Sequence, residues 1–473
     1  MIVFLAKLFQ LPLAALEKFI AYFMPVLGSL SLPVIYYYFF HDQPISKKGY
    51  HYIGLFVFLV PLGSFIVTVP GALGLLINIL TIFLIFSFFQ KEKKSGQTIF
   101  LIFIFCLVSF CIHPSNGIFS VIILLLMLPY FFLDKLKGLA KILLKITIAL
   151  LSLLLCTIYP MAYVINSLSK STLKVTLNFN QIFSFSPLIN KYANILPHGN
   201  NFSGIYHPIY LLSQNFSFIL IVAFVFFIAY SFYQKKNYQS IFFALNIFII
   251  LQMNYLLVNN YLNFDLIDYE KEDYANRIFN DSFFIFWPFF IYIFSIFVAK
   301  LFAVSKLKKM LILIVLTILA SINLYTHYRA YDPYNMPSGR GVSLAGLEAV
   351  HYIYNDAQYN NIDDYIVLSD QMVAILALKE YGYYKQYNGI YYYSIPTSGP
   401  LYNYFLNIIE KNKPHQAIID AAKLAKVNTV YFTLIDYWND YDEIIAKIKK
   451  SCTSFQTMQV DDQRVFIAKF DLN

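Results

Sequence analysis

Ten apolar stretches fill the chain up to residue 326, and a polar, tyrosine-rich segment follows to residue 473. The stretches run 19–41, 50–69, 71–90, 98–113, 117–134, 142–167, 209–233, 239–258, 282–303 and 308–326. A bilayer's hydrocarbon core demands roughly 20 consecutive apolar residues of a helix. The pattern therefore predicts an α-helical polytopic membrane domain over 19–326, with about ten transmembrane helices. Val69-Pro70-Gly71 supplies a tight turn between the second and third spans. Residues 1–18 are apolar but short, and Lys7 and Pro12 interrupt them. They read as an interfacial or re-entrant segment.

From residue 327 the period changes. Tyr331 to Gly341 is rich in turn residues and reads, within 327–341, as a linker. Over 342–473 short apolar runs alternate with helical spacing. Tyr365–Ser369, Thr429–Ile435 and Arg464–Phe470 have the length of buried strands. Ser343–Tyr354, Gln371–Glu380, Leu401–Ile409, Ala417–Ala425 and Tyr441–Lys450 read as helices, the second ending at Gly382. Such alternation predicts an α/β domain with a largely parallel sheet, and Val367 and Val430 in its central strands.

Charge refines the topology. Of the 473 residues 59% are hydrophobic and only 13% charged, half of what a soluble domain carries. The net charge of +9 does not point to nucleic acid, because the lysines cluster in short loops between spans. Examples are Lys91, Lys93 and Lys94, then Lys135, Lys137, Lys141 and Lys145, then Lys235 and Lys236. Basic loops stay in the cytoplasm. Alternation from there puts His113–Gly117, 168–208, 259–281 and the C-terminal domain outside, as in a multi-pass protein of the bacterial cytoplasmic membrane. The four cysteines (Cys106, Cys111, Cys156, Cys452) have neither a disulfide framework nor zinc spacing.

Candidate chemistry lies in the outer loops. The loop at 259–281 holds Asp265, Asp268, Glu270, Glu272, Asp273, Arg277 and Asp281. Glu270, Glu272 and Asp273 are candidate catalytic carboxylates: such groups act as general bases or bind a divalent cation through oxygen. Their spacing specifies no metal. Arg277, just before a span, suits a lipid phosphate, which a guanidinium grips with two donors. A solvated loop is the alternative. His113, in the turn His113-Pro114-Ser115-Asn116-Gly117, and His207, again followed by proline, join Arg277 as candidate substrate contacts. An interfacial histidine can equally satisfy a helix-end carbonyl. In the C-terminal domain Asp370 and Asp436 follow predicted strands, at the edge where α/β folds bind ligands, although helix capping explains them as well. Tyr391–Pro400 sets aromatics beside a turn and reads as a structural loop or a surface that stacks on sugar rings.

The stretch Tyr22-Phe23-Met24-Pro25-Val26-Leu27-Gly28-Ser29-Leu30-Ser31-Leu32-Pro33 resembles a proline-bearing span of GT-C-type membrane glycosyltransferases. The His-Pro outer turn, Arg277 before a span and an external α/β domain after the last span also resemble that class. The resemblance implies transfer of a sugar from a polyprenyl-phosphate donor on the outer side of the membrane. The family's catalytic acidic motif lies in the first outer loop, whereas here no acidic pair precedes the span at 19–41 and Glu17 stands beside Lys18. The acids at 265–273 form the outer cluster that could take its place. The alternative is a non-catalytic scaffold or subunit of a surface-polysaccharide or lipid-linked-sugar assembly system, partnered by another membrane subunit. A transporter would want charges within the spans, which carry almost none.

Overall fold

The computed structural model describes residues 70–90, 96–133, 136–168, 175–178, 184–195, 215–235, 238–264, 268–301, parts of 310–321 and, with short gaps, 342–472. The segment at 1–18, the spans at 19–41 and 50–69, most of the span at 308–326, and the linker up to residue 341 lie outside the described residues. The chain divides into two compact units, Met1–Tyr334 and Asn335–Asn473.

The first unit is helical. Helix α1 (Pro70–Gln90), α2 (Gly96–Ile112) and α3 (Pro114–Leu133) pack on one another. Their apolar surfaces close around one polar knot. Asn78 Nδ2 donates to the Asn116 carbonyl at 3.1 Å, and Asn78 Oδ1 accepts from Ser109 at 2.8 Å and from Ser120. Buried polar atoms need such partners, and the small serines let the helices approach closely. Next come α4 (Gly138–Leu155), α5 (Ile158–Leu168), β1 (Val175–Leu177), α6 (Ser186–Ile195), α7 (Phe216–Gln234) and α8 (Tyr238–Tyr261). Strand β2 (Leu262–Phe264), α9 (Asp268–Ser282), a 3₁₀ turn (Phe283–Phe286) and α10 (Trp287–Leu301) follow. Aromatic packing joins these elements; Phe224 of α7 stacks on Phe286 with centroids 4.3 Å apart.

Among the described residues four helices, α3, α4, α7 and α8, are long and apolar enough to cross a membrane. The apolar helices mark a membrane protein, but ten spans are not seen. The expected span at 142–167 is broken at Cys156–Thr157 into α4 and α5. Pro160 accounts for the break: it brings no N–H, and its ring crowds the carbonyl four residues back, at Cys156. The described part of the expected loop at 259–281 is also regular structure. Its β2 pairs antiparallel with β1, Val175 opposite Phe264 and Leu177 opposite Leu262, and most of its remainder is helix α9.

The second unit is an α/β sandwich. Helix α11 (Leu344–Tyr359) starts where Ser343 accepts from the Gly346 N–H. After it come β3 (Tyr365–Leu368), α12 (Gln371–Tyr381), a hairpin of β4 (Gln386–Tyr387) and β5 (Ile390–Tyr391), α13 (Pro400–Glu410), α14 (Pro414–Ala425), β6 (Thr429–Ile435), α15 (Tyr441–Ile448), β7 (Ser454–Val460) and β8 (Gln463–Asp471). The hairpin turns on Asn388 and Gly389, both at positive φ, as a two-residue turn of that hand requires. The main sheet has the order β3-β6-β8-β7. Strand β6 is buried at every position. One of its faces packs with α11 through Tyr431 and Ile435, and on the other Phe432 meets Phe405 of α13.

Two expectations need correction. The sheet is mixed, not largely parallel: β3–β6 is parallel, and β6–β8 and β7–β8 are antiparallel. The chain returns from β7 to β8 by a tight turn at Asp461, at positive φ, which forces antiparallel pairing. Val430 lies in an inner strand, but Val367 lies in β3 at the end of the order, with β6 on one side and, among the described residues, a single bridge to Tyr393 on the other.

Candidate functional site

Three chain segments converge in the membrane unit around the α2–α3 turn. Pro114 opens α3 at a position where its missing N–H costs nothing. His113 stays within the helical bonding, donating its N–H to Ser109 at 3.0 Å and accepting from Gly117 at 2.9 Å. Gly117 is required by contact: a Cβ there would lie 2.5 Å from the Phe110 Cα. The turn is thus tight, and the His113 imidazole is held half-buried, its Nδ1 without a hydrogen-bond partner among the described residues.

Helix α5 closes one side. The Tyr159 hydroxyl donates to the Ser115 carbonyl at 2.9 Å, so α5 is fastened to the first turn of α3. The break that frees α5 from α4 is filled from α8. In an unbroken helix the Tyr159 N–H would bond the Leu155 carbonyl. Instead Asn254 inserts its amide, Oδ1 accepting from Tyr159 at 3.0 Å and Nδ2 donating to Leu155 at 2.8 Å. One turn on, Tyr163 packs edge-on against Phe264 and Tyr274, each at 5.5 Å, and Phe264 stacks on Tyr274 at 4.8 Å.

Helix α9 supplies the charges. Arg277 and Asp281 are one turn apart, hence on one face. Arg277 is exposed; Asp281 is partly accessible within dense surroundings. That burial pushes the Asp281 carboxyl up to about 7, with Arg277 opposing the shift. Asp281 lies within electrostatic range of Tyr159 and Tyr163. His113 is lowered from the usual imidazole range, first by burial and then by the Arg277 guanidinium. Both effects favour its neutral form. The end of α9 is anchored where Gln252 Nε2 donates to Ser282 Oγ at 2.6 Å.

The chain matches no family model, no curated protein and no solved structure. The site must be read from its own geometry.

That geometry puts His113 within electrostatic range of Arg277. It adds Asp281, which the pattern lists among loop acids without singling it out. Glu270, Glu272 and Asp273 fall in the first two turns of α9, on the same helix as Arg277; their side-chain placement lies outside the described residues. His207 lies outside them as well. Among the described residues no three His, Cys, Asp or Glu side chains gather as a metal requires.

The second unit's candidates have structural duties. Asp370 caps α12 through the Val373 N–H at 2.9 Å and accepts from Tyr437 and, at 3.4 Å, from Trp438 Nε1. Asp436 accepts the Arg464 backbone N–H at 3.0 Å and its Nε at 3.4 Å. Tyr392 and Tyr393 are buried, packed on each other with centroids 4.9 Å apart. Rings used in that core are not presented to a sugar.

Proposed function

We propose that the chain is a GT-C-like glycosyltransferase that takes a sugar from a lipid-linked donor on the outer side of the bacterial cytoplasmic membrane. The observation that carries this reading is the Arg277–Asp281 pair beside a neutral His113 at the end of apolar helices. Arg277, exposed at that end, presents the fork that a phosphate accepts in bidentate fashion. A neutral imidazole can donate to a second phosphate oxygen without adding charge. Asp281, poised near neutrality, suits a general base that takes the proton from an acceptor hydroxyl as the sugar–phosphate bond breaks. The carboxylates at 270, 272 and 273, within two turns of Arg277, remain candidates for the same task or for a divalent cation at the leaving phosphate. On this reading 259–281 and the α/β domain face outward, as the lysine loops require.

The test is glycan transfer by the purified protein in lipid nanodiscs from a polyprenyl-phosphate sugar. Arg277→Lys should weaken donor binding although charge is kept, because the two-pronged contact is lost. Asp281→Asn should lower turnover at least ~100-fold, as loss of a positioned base does. Wild-type transfer by both variants sinks the reading. Absence of transfer from every lipid-linked donor favours the scaffold alternative.

A further inference from the structure

A second site lies in the membrane unit, built by other residues. A cavity of about 410 Å³ opens between the end of α3, the start of α4 and the first turn of α8. That is a volume typical of small-ligand pockets, roughly 300–1,000 Å³. Lys141, Lys145, Tyr130, Tyr238, Gln239 and Phe242 line it.

The lysines are the informative part. They are the charged residues of α4, one turn apart on a single face, in a helix otherwise apolar enough to cross a membrane. Lys145 is the eighth residue of α4, so at 1.5 Å per residue it sits about 10 Å into the helix. A cation at that depth needs water or an anion, and ionisable groups inside spans mark binding sites. The cavity gives both ammonium groups a shared space. The first turn of α8 adds the positive end of a helix, with Tyr238 and Gln239 at its start. Gln239 Nε2 already donates to the Tyr130 carbonyl, which fixes that wall. Phe242, which lines the cavity from α8, is itself largely exposed and offers an apolar edge there.

We propose that this cavity binds a phosphate group carried by an anionic phospholipid, the phosphate between Lys141 and Lys145 and an acyl chain against the exposed Phe242. A soluble phosphate ester shares the head-group chemistry but has no acyl chain to place there. The site is independent of Arg277 and Asp281, and its failure would leave the transfer reading untouched.

The experiment is native mass spectrometry of the full chain released from nanodiscs of mixed phosphatidylglycerol and phosphatidylcholine. The wild-type protein should retain phosphatidylglycerol over phosphatidylcholine by about tenfold, a difference of about 1.4 kcal/mol. Lys141→Gln with Lys145→Gln should bring the ratio near one, while the Arg pair keeps it. Ile148→Trp, which fills the cavity and leaves both lysines, should also abolish the preference; it decides the matter if the glutamine pair misfolds. Excess glycerol 3-phosphate should not displace the lipid. Equal retention in wild type and variants overturns the proposal, and displacement by glycerol 3-phosphate replaces the lipid with a soluble ligand.

Discussion

Asn254 stands between the two halves of a broken helix, replacing the bond that Tyr159 would have made to Leu155. The insertion turns a proline defect into a defined joint, one of the few known causes of a sharp helix kink. It also aims Tyr159 at the Ser115 carbonyl, and so positions the α2–α3 turn. Asn254→Ala leaves a buried N–H and a buried carbonyl unmet. Each costs about 1–3 kcal/mol in a soluble core, but hydrogen bonds within membranes measure nearer 0.6 kcal/mol. The expected loss is therefore about 1–2 kcal/mol, read as a lower midpoint of unfolding in SDS. A midpoint equal to wild type would show that the joint closes without its asparagine.

Two glycines in one helical hairpin should behave oppositely. Gly117→Ala drives a methyl onto the Phe110 backbone, which cannot rotate away as a side-chain tip can. Overpacking of this kind costs about 1–3 kcal/mol, and it should displace His113. Gly96 has nothing within 4 Å of a built Cβ, so Gly96→Ala should be neutral or gain up to about 1 kcal/mol from lost chain entropy. Thermal denaturation of the two variants side by side checks this; equal destabilisation refutes the close approach.

The sequence reveals what depends on local pattern. Ser343, Asp370 and Gly382 announce helix ends by residue type and perform those duties. The strand at 429–435 is legible because it is buried on both faces and reads as an unbroken apolar run. Strand β7 escapes notice because it is an exposed edge, Ser454–Val460, with no such run. The polar stretch before the last described spans looks like loop because charge dominates it, yet its acids from Asp268 onward and Arg277 sit on a helix. Asp281 is hidden for a different reason. Its importance comes from burial among Tyr159, Tyr163 and Arg277, groups far apart in sequence. Pro160, and Asn254 within an apolar span, were the available signals for the break.

In the C-terminal unit Asp370 joins β3 to the turn after β6. Its removal as Asp370→Ala costs a helix cap, about 0.5–2 kcal/mol, and leaves Tyr437 and Trp438 without their acceptor. The total should be about 2–3 kcal/mol if the bereaved hydroxyl adds about 1. Asp370→Asn keeps an oxygen for the Val373 N–H and should lose less. Chemical denaturation followed by tryptophan fluorescence, with Trp438 as the near reporter, measures both. Equal losses would mean that the cap contributes nothing.

Asp281 predicts a pH dependence whose sign can be worked out. Its carboxyl ionises near 4 in the unfolded chain and at about 7 when folded. Between those values the folded state holds more protons, so stability falls as pH rises. The full contribution is present below pH 4, is lost progressively up to about 7, and the curve is flat above. Three units correspond to at most about 4 kcal/mol. Asp281→Asn, which cannot ionise, should flatten this slope and make the protein more stable than wild type at pH 8. Activity should run the other way. A base must be deprotonated, so transfer should rise through an apparent pKa near 7, and the limb should vanish in Asp281→Asn together with most of the rate. His113→Gln separates the two groups: it should weaken donor binding while leaving the limb in place, because burial and Arg277 move the imidazole's own ionisation to lower pH. A stability curve with no slope between pH 5 and 7 in wild type would show that Asp281 is ionised throughout, and the general-base role would go with it.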